Sequence, residues 1–259
     1  MIRYEKQGDI AVMTFDNPPL NVLTPDDHKR LFEILQDFTA DRDIRCGVLT
    51  GSGERAFSAG DDIKTERPMR TREEVVERHL TPSRAFETAE YPGWEAELLT
   101  MPRHKPIVGA INGYCLGQGF LYMSMLTDIR YASKTAQFGL PEIAYGMGGA
   151  GGMLSLGKQI PHAAAMEILL LGKIFSAERA EELSLINEVV DADALMETAM
   201  AAARQIASHP PMSVRVEMET YQRSQDMSRA DSMALAMHMY RLARSVQPRD
   251  LPLTKGKGE

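Results

Sequence analysis

Short apolar runs, each closed by a proline or glycine turn and followed by an amphipathic helix, recur through the first half of the chain. Ile10-Ala-Val-Met-Thr-Phe15 stops at Asn17-Pro-Pro19, and Thr24-Pro-Asp-Asp27 then supplies a helix cap, a proline at the first helical position and two acids in the first turn. Leu31, Ile34, Leu35 and Phe38 follow at helical spacing, and Cys46-Gly-Val-Leu-Thr50 is the next strand, closed by Gly51-Ser-Gly53. Pro106–Ile111, a glycine turn, an apolar helix over Phe120–Leu126 and a strand over Asp128–Ala132 repeat the order.

After Gly152 the pattern turns helical, with helices expected at Ala163–Leu171, Ala177–Leu185, Asp193–Ala207 and Met212–Arg244 and one strand at Asn187–Val190. The fold class is therefore α/β, a core of repeated ββα units over residues 1–190 with a helical region over 191–259. Residues 64–104 are polar and proline-punctuated, with a helix expected from the Thr71-Arg-Glu-Glu74 capping box.

Composition removes several classes of function. The 259 residues are 44% hydrophobic and 25% charged, which excludes a disordered or fibrous chain. No apolar run is long enough to cross a bilayer, and Met1–Lys6 reads as a strand rather than a signal-peptide core. With 29 basic against 36 acidic residues the net charge is −7, and the Arg70, Arg72, Arg78, Arg84 scatter is interleaved with Glu73, Glu74 and Glu77, so no nucleic-acid footprint appears. Cys46 and Cys115 lie in apolar segments, as reduced packed thiols of a cytoplasmic protein do. Met123, Met125 and Met233–Met239 read as core filler. The histidines, His79 and His104 among them, are far apart and read as surface or packing residues. No metal-ligand spacing and no phosphate-loop or dinucleotide fingerprint is present.

Three segments have the composition of a site. In Phe57-Ser-Ala-Gly-Asp-Asp62 small residues leave the backbone approachable, with the Ala59 N–H exposed. In Asn112-Gly-Tyr-Cys-Leu-Gly-Gln-Gly119 a glycine turn opens an apolar helix, whose first amides carry partial positive charge. Two such donors converging on one point would stabilise an oxyanion. Glu142 follows Pro141 and is flanked by Leu140, Ile143 and Ala144, so partial desolvation would raise its pKa toward the range of proton transfer. The competing reading has Glu142 capping the glycine-rich turn Gly146–Gly152.

Asn17-Pro-Pro-Leu-Asn21, the runs Leu49–Gly53 and Phe57–Ile63, Lys105–Tyr114, Gln137-Phe-Gly-Leu-Pro-Glu142 and Leu171–Ala177 occur in that order. Over roughly residues 1 to 210 this resembles the crotonase (enoyl-CoA hydratase/isomerase) superfamily. The resemblance implies a ββα spiral with a C-terminal helical trimerisation region, a homotrimer or homohexamer, and a coenzyme A thioester as substrate with no tightly bound cofactor. It implies Ala59 and Gly119, or Gln118 in the other register, as oxyanion donors and Glu142 as catalytic acid/base. Phe57, Ser58, Gly60, Asp61, Asp62, Ile63, Tyr114, Gly117, Gln118, Leu121, Pro141 and Tyr145 are implied to line the acyl-CoA site.

The chain departs from the pattern where family hydratases carry a first glutamate. Leu121 stands there in one register and Tyr122 in the other. Gly146–Gly152 is one residue short and lacks the usual proline, and Ser245-Val-Gln-Pro-Arg-Asp250 replaces the familiar ending of the last helix. A single glutamate suits removal of a proton and its return elsewhere, as in double-bond migration. Hydration remains open, with Tyr122 or Tyr114 holding water. The competing readings are a thioester or carbon–carbon bond hydrolase or lyase on the same scaffold, and a non-catalytic acyl-CoA binding protein.

Overall fold

The computed structural model describes residues 1–64, 71–80, 94–148 and 156–246. Arg70, Arg84 and most of the Gly146–Gly152 and Ser245–Asp250 runs fall outside them, as do the side chains of Arg78 and His79. The chain divides into two compact units, Met1–Ile206 and Ala207–Glu259.

The first unit holds two sheets. Strands β1 (Ile2–Gln7), β2 (Ile10–Phe15), β3 (Cys46–Gly51), β5 (Ile107–Ile111), β7 (Ile129–Ser133) and β10 (Glu188–Val190) make the larger, in the order β1-β2-β3-β5-β7-β10. Only the β1–β2 pair is antiparallel; Val48 lies opposite Val12 on one side and Val108 on the other. The smaller sheet, β4-β6-β8-β9, is built from β4 (Ala56–Ser58), β6 (Tyr114–Leu116), β8 (Gln137–Gly139) and β9 (Phe175–Ser176). A strand in the large sheet, a strand in the small sheet and then helix recur three times: β3-β4 before α2 (Arg72–Leu80) and α3 (Trp94–Thr100), β5-β6 before α4 (Gln118–Leu126), and β7-β8 before α5 (His162–Leu171). This is the expected ββα spiral.

Local chemistry explains the elements that flank the site. Thr24 and Asp27 form a reciprocal capping box at the start of α1 (Pro25–Ala40). At its other end Lys105 Nζ donates to the carbonyls of Phe38, at 2.6 Å, and Asp41, tying the entry of β5 to the last turn of α1. Asn21 and Asn112, both from the sequence motifs, hold one turn. Their Nδ2 groups donate to the Ala56 carbonyl at 2.6 and 3.3 Å, fixing where the chain passes from the large sheet to the small one. The core between the sheets is aromatic, with Phe15 edge-on to Phe57 at 5.2 Å and Phe38, Phe120, Phe138 and Tyr122 fully buried. Cys46 and Cys115 are buried free thiols; burial pushes Cys46 up to about 12 and Cys115 well above its usual value.

The helix expected at Ala177–Leu185 is shorter, α6 (Ala177–Glu182), and α7 spans Leu195–Ala207. The long helix expected over Met212–Arg244 is two, α8 (Pro211–Ser224) and α9 (Arg229–Val246). Ser228 starts the second: its Oγ accepts from the Asp231 amide at 3.2 Å and donates to the Asp231 carboxylate at 2.7 Å. Met123 is core, as expected, but Met233 and Met237 are exposed rather than filling a core. The Thr71/Glu74 capping box is present, at 2.8 and 3.3 Å. No helix among the described residues is long and apolar enough to cross a membrane.

Candidate active site

Beyond β4 the chain crosses the small sheet in an extended turn whose hydrogen bonds decide which amides remain for a ligand. Ala59 donates its N–H to the Leu20 carbonyl at 2.9 Å, and Gly60 donates to Ser58 Oγ at 3.2 Å. Leu23 then bridges the turn, donating to the Gly60 carbonyl and accepting from the Asp62 amide, each at 2.9 Å. In a parallel bridge of this kind the intervening residue, Asp61, turns its own amide away from Leu23. The expectation that Ala59 supplies an oxyanion donor is therefore corrected, because its N–H already has an acceptor. Asp61 is the position of this turn whose amide faces the other way.

Across from the turn lies the start of α4. Gly117 precedes it at φ 54°, a conformation that favours glycine, and Leu121 makes the first backbone bond of the helix, to the Gly117 carbonyl at 3.0 Å. The amides of Gln118, Gly119 and Phe120 have no acceptor within the helix. The two alternatives for the second donor separate by position. A side chain on Gly60 (φ 97°) would come within 3.2 Å of the Gln118 nitrogen, whereas a Cβ on Gly119 would press into the Ser58 carbonyl. Gln118 thus faces the turn, and Gly119 is the residue that lets α4 pack on β4.

Glu142 reaches the same place from the third layer. Pro141 opens a short 3-10 turn, Pro141–Tyr145, and the Glu142 carbonyl accepts from the Met147 amide at 3.1 Å. The backbone closes that turn, and the expectation that the carboxylate caps Gly146–Gly152 falls mostly outside the described residues. A Cβ on Gly117 would run into Glu142 Oε1 and lie 3.8 Å from the Gly60 Cα. Oε2 is buried and has no hydrogen-bond partner among the described residues. Burial raises the carboxyl above its ordinary value, its own backbone amide works against this, and the charge of Asp61 adds to the rise.

Beside this point sits a buried polar cluster. His28, wholly inaccessible to solvent, places Nδ1 2.7 Å from the Tyr122 hydroxyl and Nε2 3.1 Å from Asp61 Oδ1 and 3.8 Å from Glu95 Oε1. Tyr122 also packs parallel to Phe15. Burial drives its phenol well up, the charges of Asp61 and Glu95 add to that, and a contact with the Gln118 side chain opposes it. Tyr122 was expected to hold water or substrate; its hydroxyl instead meets His28 inside the core.

The remaining expected residues scatter. Phe57, Ser58 and Leu121 are core, Tyr114 and Pro141 are half-buried, and the Asp62 carboxylate accepts from the Lys64 amide at 2.9 Å. Ile63 and Tyr145 are surface residues, 81% and 76% exposed.

His28 and Glu95 were missed. His28 carries one signal, since it occupies the stripe that Leu31 and Leu35 continue at three and seven residues on, where a polar side chain requires a buried partner. Glu95 carries none beyond standing next to Trp94. The expectation that no His/Asp/Glu cluster exists holds for linear spacing only: the ligand atoms of His28, Asp61 and Glu95 lie within 4.8 Å of one another.

Residues 5–250 match the family model described as "Enoyl-CoA hydratase/isomerase". Among curated proteins the chain is 34% identical to the (E)-benzylidenesuccinyl-CoA hydratase of Thauera aromatica, covering 87% of this chain and 84% of that protein. It is 32% identical to the short-chain-enoyl-CoA hydratase of Clostridium acetobutylicum, covering 85% and 80%. The crystal structure of an enoyl-CoA hydratase from Bacillus anthracis superposes with a TM-score of 0.79 at 27% identity, covering 96% of this chain and 92% of the other.

Proposed function

The chain belongs to the enoyl-CoA hydratase/isomerase family and is an acyl-CoA enzyme of that type, and from this premise we propose that Glu142 is the acid/base that moves the proton at C2 of an enoyl-CoA thioester. The carrying observation is the half-buried Glu142 carboxylate, its Oε2 without a partner among the described residues, at the mouth of the Gly117 turn. A carboxylate held in that way has its pKa moved toward the working range of a proton carrier.

The thioester oxygen is the second requirement, because the enolate formed at C2 places negative charge there. The amides of Gln118 and Asp61 are proposed as its donors, one from the start of a helix and one from the extended turn opposite. Each such donor contributes about 10²–10³ in rate when charge develops on the oxygen. Transfer of protons alone moves no electrons between carriers, so the thioester substrate is the only coenzyme-derived group the proposal requires. Ile63, exposed beside the turn, is proposed to lie against the nucleotide end of coenzyme A. Two buried thiols fit a reducing, cytoplasmic compartment. The helical region from residue 191 onward is proposed to join copies into a homotrimer or homohexamer, supported by Met233, Met237 and Tyr240, exposed along one face of α9.

The test is a paired assay with trans-2-enoyl- and 3-enoyl-CoA, following the conjugated thioester by absorbance and the gain of water by mass spectrometry. Glu142→Gln is expected to lower both activities by about 10²–10⁴. Near-normal turnover in that variant would remove the assignment, and release of free coenzyme A would replace it with a hydrolase.

A further inference from the structure

Hydration of an enoyl thioester needs two proton movements on one face of the double bond: one from water as its oxygen bonds to C3, and one onto C2. Leu121, at the first-glutamate position of one register, is apolar and buried, and Tyr122, at that of the other, is held by His28. Yet the described structure brings another carboxylate to the site. Asp61 follows Gly60, whose Cα faces both the Gln118 amide and the Gly117 turn where Glu142 sits. It is 21% exposed, unlike His28 behind it, so it is the member of the cluster with access to the open side.

We infer that Asp61, oriented by His28, is the second carboxylate of the active site and takes the proton of the attacking water, making the enzyme a hydratase despite the missing helix-borne glutamate. The inference rests on the reading of Glu142 given above. The water oxygen bonds to C3 while its O–H breaks and the proton goes to Asp61. The C2=C3 pair moves toward C2 and the thioester oxygen, held by the two amides. C2 then takes the proton of the Glu142 carboxyl, and the two carboxyl groups return to their starting states by exchange with solvent.

His28 is a positioning residue. Its Nε2 meets Asp61 while Nδ1 is fixed by the Tyr122 hydroxyl, so the ring cannot rotate away. Glu95 Oε1 lies 3.8 Å from the same Nε2. Among the described residues, the titratable groups facing Asp61 include His28 from α1, Tyr122 from α4 and Glu142 from the 3-10 turn, with Glu95 from α3 behind His28.

The test compares two reactions of the purified protein: hydration of crotonyl-CoA, and exchange of a C2 proton of butyryl-CoA for deuterium in D2O, which needs Glu142 and no attacking water. Asp61→Asn is expected to lower hydration by 10²-fold or more and exchange by only a few-fold, and Asp61→Glu to restore part of the hydration. Glu142→Gln should lose both, so intact exchange in that variant sinks the reading of Glu142 and not this one. His28→Gln should lower hydration by about 10-fold or more while leaving exchange within a few-fold of the parent, a split that a general loss of structure would not give. Hydration within threefold of the parent in Asp61→Asn would overturn the inference. So would equal loss of both reactions in an Asp61→Asn protein that melts normally, which would make Asp61 a shaping residue. Loss of hydration on dialysis against a chelator, restored by zinc, would also overturn it by making His28, Asp61 and Glu95 ligands of an ion.

Discussion

Glu142 is held in a state that costs the folded chain something at neutral pH. Burial, with the charge of Asp61 adding to it, raises the carboxyl above its ordinary 4.5, so the native state keeps that proton when the unfolded chain has released it. For a carboxyl shifted upward, stability is highest below the unfolded value and is lost as pH climbs through the folded one. Glu142→Gln is therefore expected to raise Tm at pH 7–8, with the gain closing below pH 4.5, as thermal melts at stepped pH would show. A variant no more stable than the parent at pH 8 would mean the carboxylate is well solvated. That Glu142 is partly buried was legible from the proline and apolar neighbours around it. That His28 and Glu95 cluster with Asp61 was not. A polar residue on an apolar stripe announces a partner without naming it, and here the partners are supplied by segments that only the completed fold brings together.

The start of α4 is where the requirements on an element are tightest. Gly117 must take up φ 54°, leave room for Glu142 Oε1 and release the Gln118 amide toward the turn. Gly117→Ala is expected to cost about 1–3 kcal/mol of stability for the backbone conformation alone. It should also displace Glu142, so activity should fall by more than the loss of folded protein explains, measured as specific activity of the soluble fraction beside a denaturant melt. Wild-type specific activity would show that the carboxylate does not occupy that space. Most elements could be read in advance because their periods and caps are strong: α1 from its N-cap, proline and apolar stripe, the large-sheet strands from unbroken apolar runs. The small sheet could not, since strands of two or three residues such as β4 and β9 are shorter than any period. The break between α8 and α9 was overlooked because helical spacing continues on both sides and only Ser228 and Asp231 mark it.

At the scale of the molecule, the last helix exposes Met233, Met237 and Tyr240 along one face among the described residues. Met237→Glu places a charge amid Met233 and Tyr240 and, if the proposed trimer or hexamer forms through this face, is expected to shift it to smaller species in light scattering. An unchanged mass would remove that face from the interface. The proposed site draws on distant parts of the first unit: its polar groups are residues 28, 61, 95, 118 and 142, and no single segment carries them all. The parallel sheet beneath them pairs β2 with β3 and β3 with β5 only after long crossovers, a topology that forms slowly because distant chain segments must meet before any pairing is rewarded. Turnover is therefore a clock for the end of folding. During renaturation, helical signal can return while every reacting group is still apart, and the first product appears only when the chain has closed its last crossover.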